Sequence, residues 1–173
     1  MLSRVLSVHK EAKGTVLIVG VYVDDWLVTS DCPNDIDEFK LEMKGKFEMS
    51  DLGLLTYYMG IEVSQCGTRI TLKQESYTKN ILNKTKMMDC NYTKSLMENI
   101  LRLSKDEEGE LVDPIKYNSI VGALMYLTHT RPDLLFNVGV VSNFMEKPSI
   151  KHLQDIKAIL RYIKGTFSKH VDY

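Results

Sequence analysis

The sequence has few cysteines and no excess of charge of either sign. Its three cysteines, Cys32, Cys66 and Cys90, lie far apart, with no paired spacing and no nearby histidine. This spacing suggests neither a zinc knuckle nor a disulfide framework, and it favours a reducing intracellular setting over secretion. The formal net charge of −1, from 22 basic and 23 acidic side chains, argues against a surface devoted as a whole to nucleic-acid binding.

Long hydrophobic runs are also missing. The opening stretch MLSRVLSVHKEAK mixes charged with apolar residues, unlike a signal peptide, and no later stretch has the length needed to cross a membrane. We therefore expect a soluble protein with no membrane partner. With 44% hydrophobic residues over 173 positions, the chain is long enough to bury a core, and no internal repeat or low-complexity linker interrupts it.

The apolar residues of the first third predict strands and one helix. The runs Val16–Tyr22 and Trp26–Thr29 are typical of strands buried on both faces, and their short separation predicts a β-hairpin. A helix follows, with an apolar face that includes Phe39 and Phe47. A second hairpin is predicted next, with its turn near Cys66-Gly67.

From Gln74 onward the spacing of apolar residues is helical. One helix follows directly, and three more come after an acidic loop, the last two beginning at Pro132 and Pro148. Because strands precede helices, the sequence predicts an α+β fold with two domains, residues 1–73 and 74–173.

Two adjacent carboxylates, Asp24 and Asp25, lie at the predicted tip of the first hairpin. If the tip is buried, repulsion and lost hydration make it costly to keep both groups ionised, and a divalent cation removes that cost. Magnesium binds one or two carboxylates together with substrate phosphates, as in two-metal nucleotidyl transfer. Asp-Asp pairs are also common in solvated turns, so the residues alone leave both interpretations open.

Several stretches resemble, in order, the reverse transcriptases of copia-type long-terminal-repeat retrotransposons. The first, Tyr22-Val23-Asp24-Asp25, is similar to the YVDD motif of that family. The others are FEMSDLG (Phe47–Gly53) with YMGIEV (Tyr58–Val63), LKQESY (Leu72–Tyr77) with Ile81-Leu82, YNSIVGALMYL (Tyr117–Leu127) with TRPD (Thr130–Asp133), and ILRYIKGT (Ile159–Thr166). The similarity covers nearly the whole chain from about Val16.

The resemblance implies that the chain is the C-terminal palm and thumb part of an RNA-directed DNA polymerase. Palm-type β-hairpins with a covering helix would form residues 1–73, and an all-helical thumb and connection region would form residues 74–173. Asp24 and Asp25 would be catalytic and would bind Mg²⁺ or Mn²⁺ in the intact enzyme. Tyr22 and Val23 would contact the primer terminus and its base pair.

Two further groups of residues acquire a role from the resemblance. The segment around Met59 and Gly60 is similar to the primer grip, which presses the primer 3′ end toward the metals, although a bulge or tight packing would equally explain the glycine. Lys79, Lys84 and Lys86 would contact the nucleic-acid backbone without reading sequence. Any single one of these lysines is also explained by simple solvation.

The partners implied for the intact enzyme are an RNA or DNA template–primer, deoxynucleotides and the remainder of the Pol polyprotein, in a cytoplasmic virus-like particle or the nucleus. Fingers and the palm strand with the third metal-binding aspartate would have to precede Val16. We therefore expect little or no polymerase activity from this chain alone. A decayed or domesticated remnant that acts as a non-catalytic nucleic-acid-binding or interaction protein is the alternative.

Overall fold

The computed structural model describes residues 10–12, 15–94, 96, 110–167, 169 and 171–172. The chain forms two compact units, Met1–Leu55 (unit 1) and Thr56–Tyr173 (unit 2). Strands and helices are mixed as the sequence predicts, and no helix among the described residues has the length and apolar content to span a membrane. The division into palm and thumb near residue 73 stays a prediction.

Unit 1 contains a three-stranded antiparallel sheet and one helix. The strands β1 (Lys10–Ala12), β2 (Thr15–Tyr22) and β3 (Asp25–Ser30) pair in the order β1-β2-β3. The helix α1 (Pro33–Lys44) follows, with proline in its first turn, where the missing N–H costs no hydrogen bond and the fixed φ favours the helix.

One face of this sheet is covered by α1. Val21 pairs directly with Trp26, so the two share a face with Val19, which is 2% exposed. The Trp26 ring lies 6.0 Å from the ring of Phe39 on α1 and 5.9 Å from that of Phe47, measured between centroids. These aromatic contacts attach the helix to the hairpin, and the Trp26 ring is part of this packing.

The opposite face of the sheet is only partly covered. Val16 and Ile18 lie on it and remain 39% and 41% exposed. The prediction that these strands are buried on both faces is therefore wrong. Side chains alternate between faces along a strand, and an unbroken apolar run cannot show whether a second layer of structure covers the other face.

Unit 2 begins with a small antiparallel sheet. Its strands are ordered β4-β5-β6-β7, and they are β4 (Tyr57–Tyr58), β5 (Ile61–Cys66), β6 (Arg69–Lys73) and β7 (Val171–Asp172). The hairpin predicted with a turn near Cys66-Gly67 is β5–β6. The expectation of an all-helical region after residue 73 is wrong, because β7 pairs with β6. Strands of two residues are too short to show a period.

The helices of unit 2 enclose its core. They are α2 (Glu75–Lys84), α3 (Pro114–Leu127), a 3₁₀ turn (Pro132–Leu134), α4 (Leu135–Ser142) and α5 (Ile150–Gly165). The α3 helix begins where the Asp113 carboxylate accepts a hydrogen bond from the Ile115 N–H at 2.9 Å. The core side chains with no exposed area are Leu82, Val121, Leu124, Leu134, Val141, Ile156, Ile159 and Ile163.

A glycine at the end of α5 allows close approach of another segment. A Cβ on Gly165 would lie 2.7 Å from the Thr93 carbonyl oxygen and 2.9 Å from Cδ2 of Tyr92. We expect Gly165→Ala to lower the free energy of unfolding by roughly 1–3 kcal/mol in urea titrations, because the backbone has to move apart.

The matched control is Gly122→Ala in α3, where nothing lies within 4 Å of the added Cβ. This change is expected to raise the free energy of unfolding by about 0.5–1 kcal/mol, because alanine favours the helix. Equal effects of the two substitutions would show that close approach is not the reason for Gly165.

Candidate active site

The tip of the β2–β3 hairpin presents the two adjacent carboxylates. Tyr22 pairs with Asp25, so Val23 and Asp24 form a two-residue turn. The predicted hairpin is present, but both Asp24 and Asp25 are exposed. Of the two interpretations that the residues leave open, the one in which a buried tip makes it costly to ionise both groups is therefore wrong, because both side chains are exposed.

The strand register places Asp25 on the face that α1 does not cover. Val21 and Trp26 occupy the α1 face, and the neighbouring pair Tyr22 and Asp25 therefore lies on the other one. Ile18 shares that face, which remains partly open. The tip thus combines an exposed carboxylate, a tyrosine and an accessible apolar surface on one side of the sheet.

The backbone at Val23 is strained. Its φ of 53° lies in the left-handed region, which costs an L-residue on the order of 1–2 kcal/mol and is usually occupied by glycine or asparagine. The side chain is 78% exposed, so packing offsets little of that cost. Strain of this kind is concentrated at functional sites, but Met59 and Lys86 also adopt a positive φ, so strain alone does not single out this turn.

The donor atoms at this tip suit magnesium. Carboxylate oxygens are its preferred protein ligands, and magnesium usually binds only one or two of them together with substrate phosphates and water. Across the residues that the structure describes, no group of three histidine, cysteine, aspartate or glutamate side chains could hold a metal ion. Asp24 and Asp25 match the one or two carboxylates that magnesium usually takes from a protein.

The segment predicted to act as a primer grip is a tight turn in unit 2. Met59 and Gly60 connect β4 to β5, and their φ values are 50° and 84°. Positive φ at both central residues is typical of a type I′ hairpin turn, in which glycine is favoured at the second position. A bulge is thus not the reason for this glycine. The Met59 side chain remains 43% exposed.

The three lysines assigned to the nucleic-acid backbone lie on or just after α2. Lys79 forms an ion pair with Glu75 at 2.9 Å, and its ammonium lies 5.2 Å from the centroid of the Phe167 ring. Lys84 and Lys86 are exposed at the C-terminal end of the helix. All three lysines are therefore exposed, and the Lys79 ammonium is in addition engaged by contacts within the chain.

A buried arginine network was not predicted from the sequence. Arg131 is 3% exposed, and its guanidinium donates to both carboxylate oxygens of Asp133, each at 2.9 Å. It also donates to the carbonyl and hydroxyl oxygens of Thr166, at 3.1 and 2.7 Å. The sequence predicted only that a helix begins at Pro132. The TRPD and KGT stretches can both be recognised in the sequence. That Arg131 of the first contacts Thr166 of the second depends on the tertiary structure.

The arginine network controls the ionisation of Asp133. Burial raises its pKa, but hydrogen bonds from Arg131 and Tyr162, with the charges of Arg131 and Lys169, outweigh burial and lower the pKa from 3.8 to about 2. The carboxylate therefore stays charged well into acid. The network connects the 3₁₀ turn to the end of α5, and the Arg131 guanidinium at its centre is buried, so we assign it to the fold.

Comparison with known proteins shows which family and which proteins the chain is similar to. The family model described as "Reverse transcriptase (RNA-dependent DNA polymerase)" matches residues 3–99. The chain is 36% identical over 161 residues to the "Retrovirus-related Pol polyprotein from transposon RE1" of Arabidopsis thaliana, covering 93% of this chain and 11% of that protein.

Two further relatives extend the comparison. The chain is 32% identical over 165 residues to the "Retrovirus-related Pol polyprotein from transposon TNT 1-94" of Nicotiana tabacum, covering 90% of this chain and 12% of that protein. It is 35% identical over 147 residues to the "Uncharacterized mitochondrial protein AtMg00810" of Arabidopsis thaliana, covering 84% of this chain and 60% of that protein. No solved structure matches the chain. The chain thus spans a small part of the Pol polyproteins.

Proposed function

The chain belongs to the reverse transcriptase (RNA-dependent DNA polymerase) family, and we propose that it supplies the carboxylate pair of nucleotidyl transfer within a copia-type Pol polyprotein. The observation that carries this proposal is the β2–β3 tip, where Asp24 in a strained two-residue turn and Asp25 at the start of β3 are both exposed. The sequence at that tip is the YVDD stretch, and it lies within the matched residues 3–99.

Reverse transcriptases use divalent metal ions, and Asp24 and Asp25 would hold them here. When bound, two such ions lower the pKa of the attacking primer hydroxyl and stabilise the leaving pyrophosphate. Tyr22 shares a face with Asp25, and its ring offers a flat surface to the terminal base pair. Val23, exposed at the turn, contacts the primer terminus from the same tip.

The remaining assignments follow from the same function. Residues 1–73 form the end of the palm and residues 74–173 the thumb and connection. Met59 and Gly60 contact the primer strand, and Lys84 and Lys86, exposed at the end of α2, contact phosphates of the template–primer. The other partners are deoxynucleotides and the remainder of the Pol polyprotein, inside the cell.

A segment exchange tests this function. All 173 residues replace the matching segment of the RE1 Pol reverse transcriptase, giving a chimaera that we call the grafted enzyme. Extension of a DNA primer on an RNA template is expected with Mg²⁺, whereas we expect none from the 173-residue chain alone. A folded grafted enzyme without extension would refute the proposal. No observation favours a non-catalytic remnant over it.

A further inference from the structure

The Met59–Gly60 turn is held by a tyrosine from α3. The Tyr126 hydroxyl donates a hydrogen bond to the Met59 carbonyl oxygen across 67 positions of sequence. A Cβ on Gly60 would lie 3.6 Å from both Cε1 and the hydroxyl oxygen of Tyr126, so the ring lies directly against the turn. A side chain at this position would make only an ordinary van der Waals contact with the ring, and it is the φ of 84° that favours glycine.

Tyr126 is itself fixed by its neighbours. Its ring is met edge-on by the ring of Tyr77 from α2, with 5.0 Å between centroids and 78° between planes. The centroid of the His129 ring lies 5.3 Å from that of Tyr126. Aromatic pairs at such distances stabilise one ring orientation, so the Tyr126 hydroxyl is presented to the turn in a defined position.

A second contact ties the same hairpin to α2. Glu62 lies on β5, two residues after Gly60, and its carboxylate accepts a hydrogen bond from the Ser76 N–H at 2.9 Å. Ser76 lies in the first turn of α2, where backbone N–H groups lack helical partners and favour a carboxylate. This bond lowers the pKa of Glu62 and keeps it charged. The strand and the turn are thus held at separate points.

The turn needs these contacts because the backbone conformation of Met59 is unfavourable for a residue with a side chain. Met59 adopts a φ of 50°, a region that non-glycine residues occupy at a cost unless tertiary contacts maintain it. Its strand β4 contributes only Tyr57–Tyr58, which is too short a ladder to fix the turn alone. The Tyr126 hydroxyl bonds to the carbonyl of the residue that carries this strain.

We infer that Tyr126 is a positioning residue, which orients the Met59–Gly60 turn so that the turn places the primer 3′ end for attack. This inference rests on the proposed function, in which that turn contacts the primer. The alignment of a nucleophile with its target changes the rate of the chemical step steeply, whereas contacts along the rest of the duplex set its affinity.

The test is Tyr126→Phe in the grafted enzyme, with Tyr77→Phe as the matched control. Tyr126→Phe keeps the ring and removes the hydroxyl that bonds to Met59. Tyr77→Phe keeps the ring that packs against Tyr126 and removes only the Tyr77 hydroxyl, which bonds to the Ala123 carbonyl at 3.4 Å and not to the turn. The rate of single-nucleotide addition is measured per active site, with the burst amplitude giving the active fraction. A merely structural defect lowers the amplitude and leaves that rate unchanged.

Tyr126→Phe is expected to lower the rate per active site by about tenfold, with less than about a twofold change in the KM for template–primer. In the 173-residue chain, it should also speed hydrogen exchange of the amides at the turn. Tyr77→Phe should do neither. A wild-type rate, a loss confined to the burst amplitude or unchanged exchange at the turn would each overturn the inference while the proposed function stands. A folded grafted enzyme that is inactive before any substitution would overturn both.

Discussion

In the grafted enzyme, Asp24→Asn or Asp25→Asn is expected to reduce primer extension by at least roughly a thousandfold. Such a loss corresponds to about 4 kcal/mol of transition-state stabilisation, within reach of a metal-binding group. An amide keeps the shape of the side chain but has no charge to hold a divalent cation. The measurement is the single-nucleotide addition rate with Mg²⁺ at saturating template–primer.

The same substitutions should leave the stability of the chain unchanged. Asp24 and Asp25 are exposed. The substitutions therefore remove neither buried surface nor a buried partner, and the free energy of unfolding should not change. The matched control is Asp37→Asn, an exposed carboxylate on α1, which should retain both activity and melting temperature. If either tip variant extended primers at the wild-type rate, the pair would have no role in metal binding.

Asp133→Asn is expected to cost about 2–3 kcal/mol of unfolding free energy, somewhat less than the removal of one partner from a fully buried ion pair. The substitution leaves the Arg131 guanidinium, whose side chain is 4% exposed, without its counter-charge; the Asp133 side chain is 29% exposed. Urea unfolding of the whole chain measures the effect. The control Glu75→Gln removes a carboxylate from an exposed pair with Lys79 and should cost roughly 0.5 kcal/mol or less.

The pH dependence of stability gives the second readout for Asp133. Its pKa is lowered from 3.8 to about 2 in the folded chain, so the folded state holds the charged form more strongly than the unfolded chain does. The resulting stabilisation is present above pH 4 and is lost as the pH falls through the interval from about 4 to about 2. Asp133→Asn should flatten that part of the profile. An unchanged acid profile would show that the ion pair does not stabilise the fold.

Local pattern accounts for the parts of this protein that the sequence predicted well. The β2–β3 hairpin, the β5–β6 hairpin and the last helix, α5, follow from apolar runs, helical spacing and turn residues. Short elements could not be predicted from local pattern. The strand β4 and the terminal β7 have two residues each, and the helix predicted from Pro132 is divided into a 3₁₀ turn and α4.

The sequence by itself determined the family, the adjacent carboxylates and their place at a hairpin tip, because these depend on residue identity and on near neighbours in the chain. Only the tertiary structure decided that the tip is exposed, since exposure depends on which elements cover a strand and not on the strand itself. The same is true of Tyr126 on the Met59 turn and Arg131 on Thr166. These contacts join residues far apart in sequence, and packing of the whole unit brings them together.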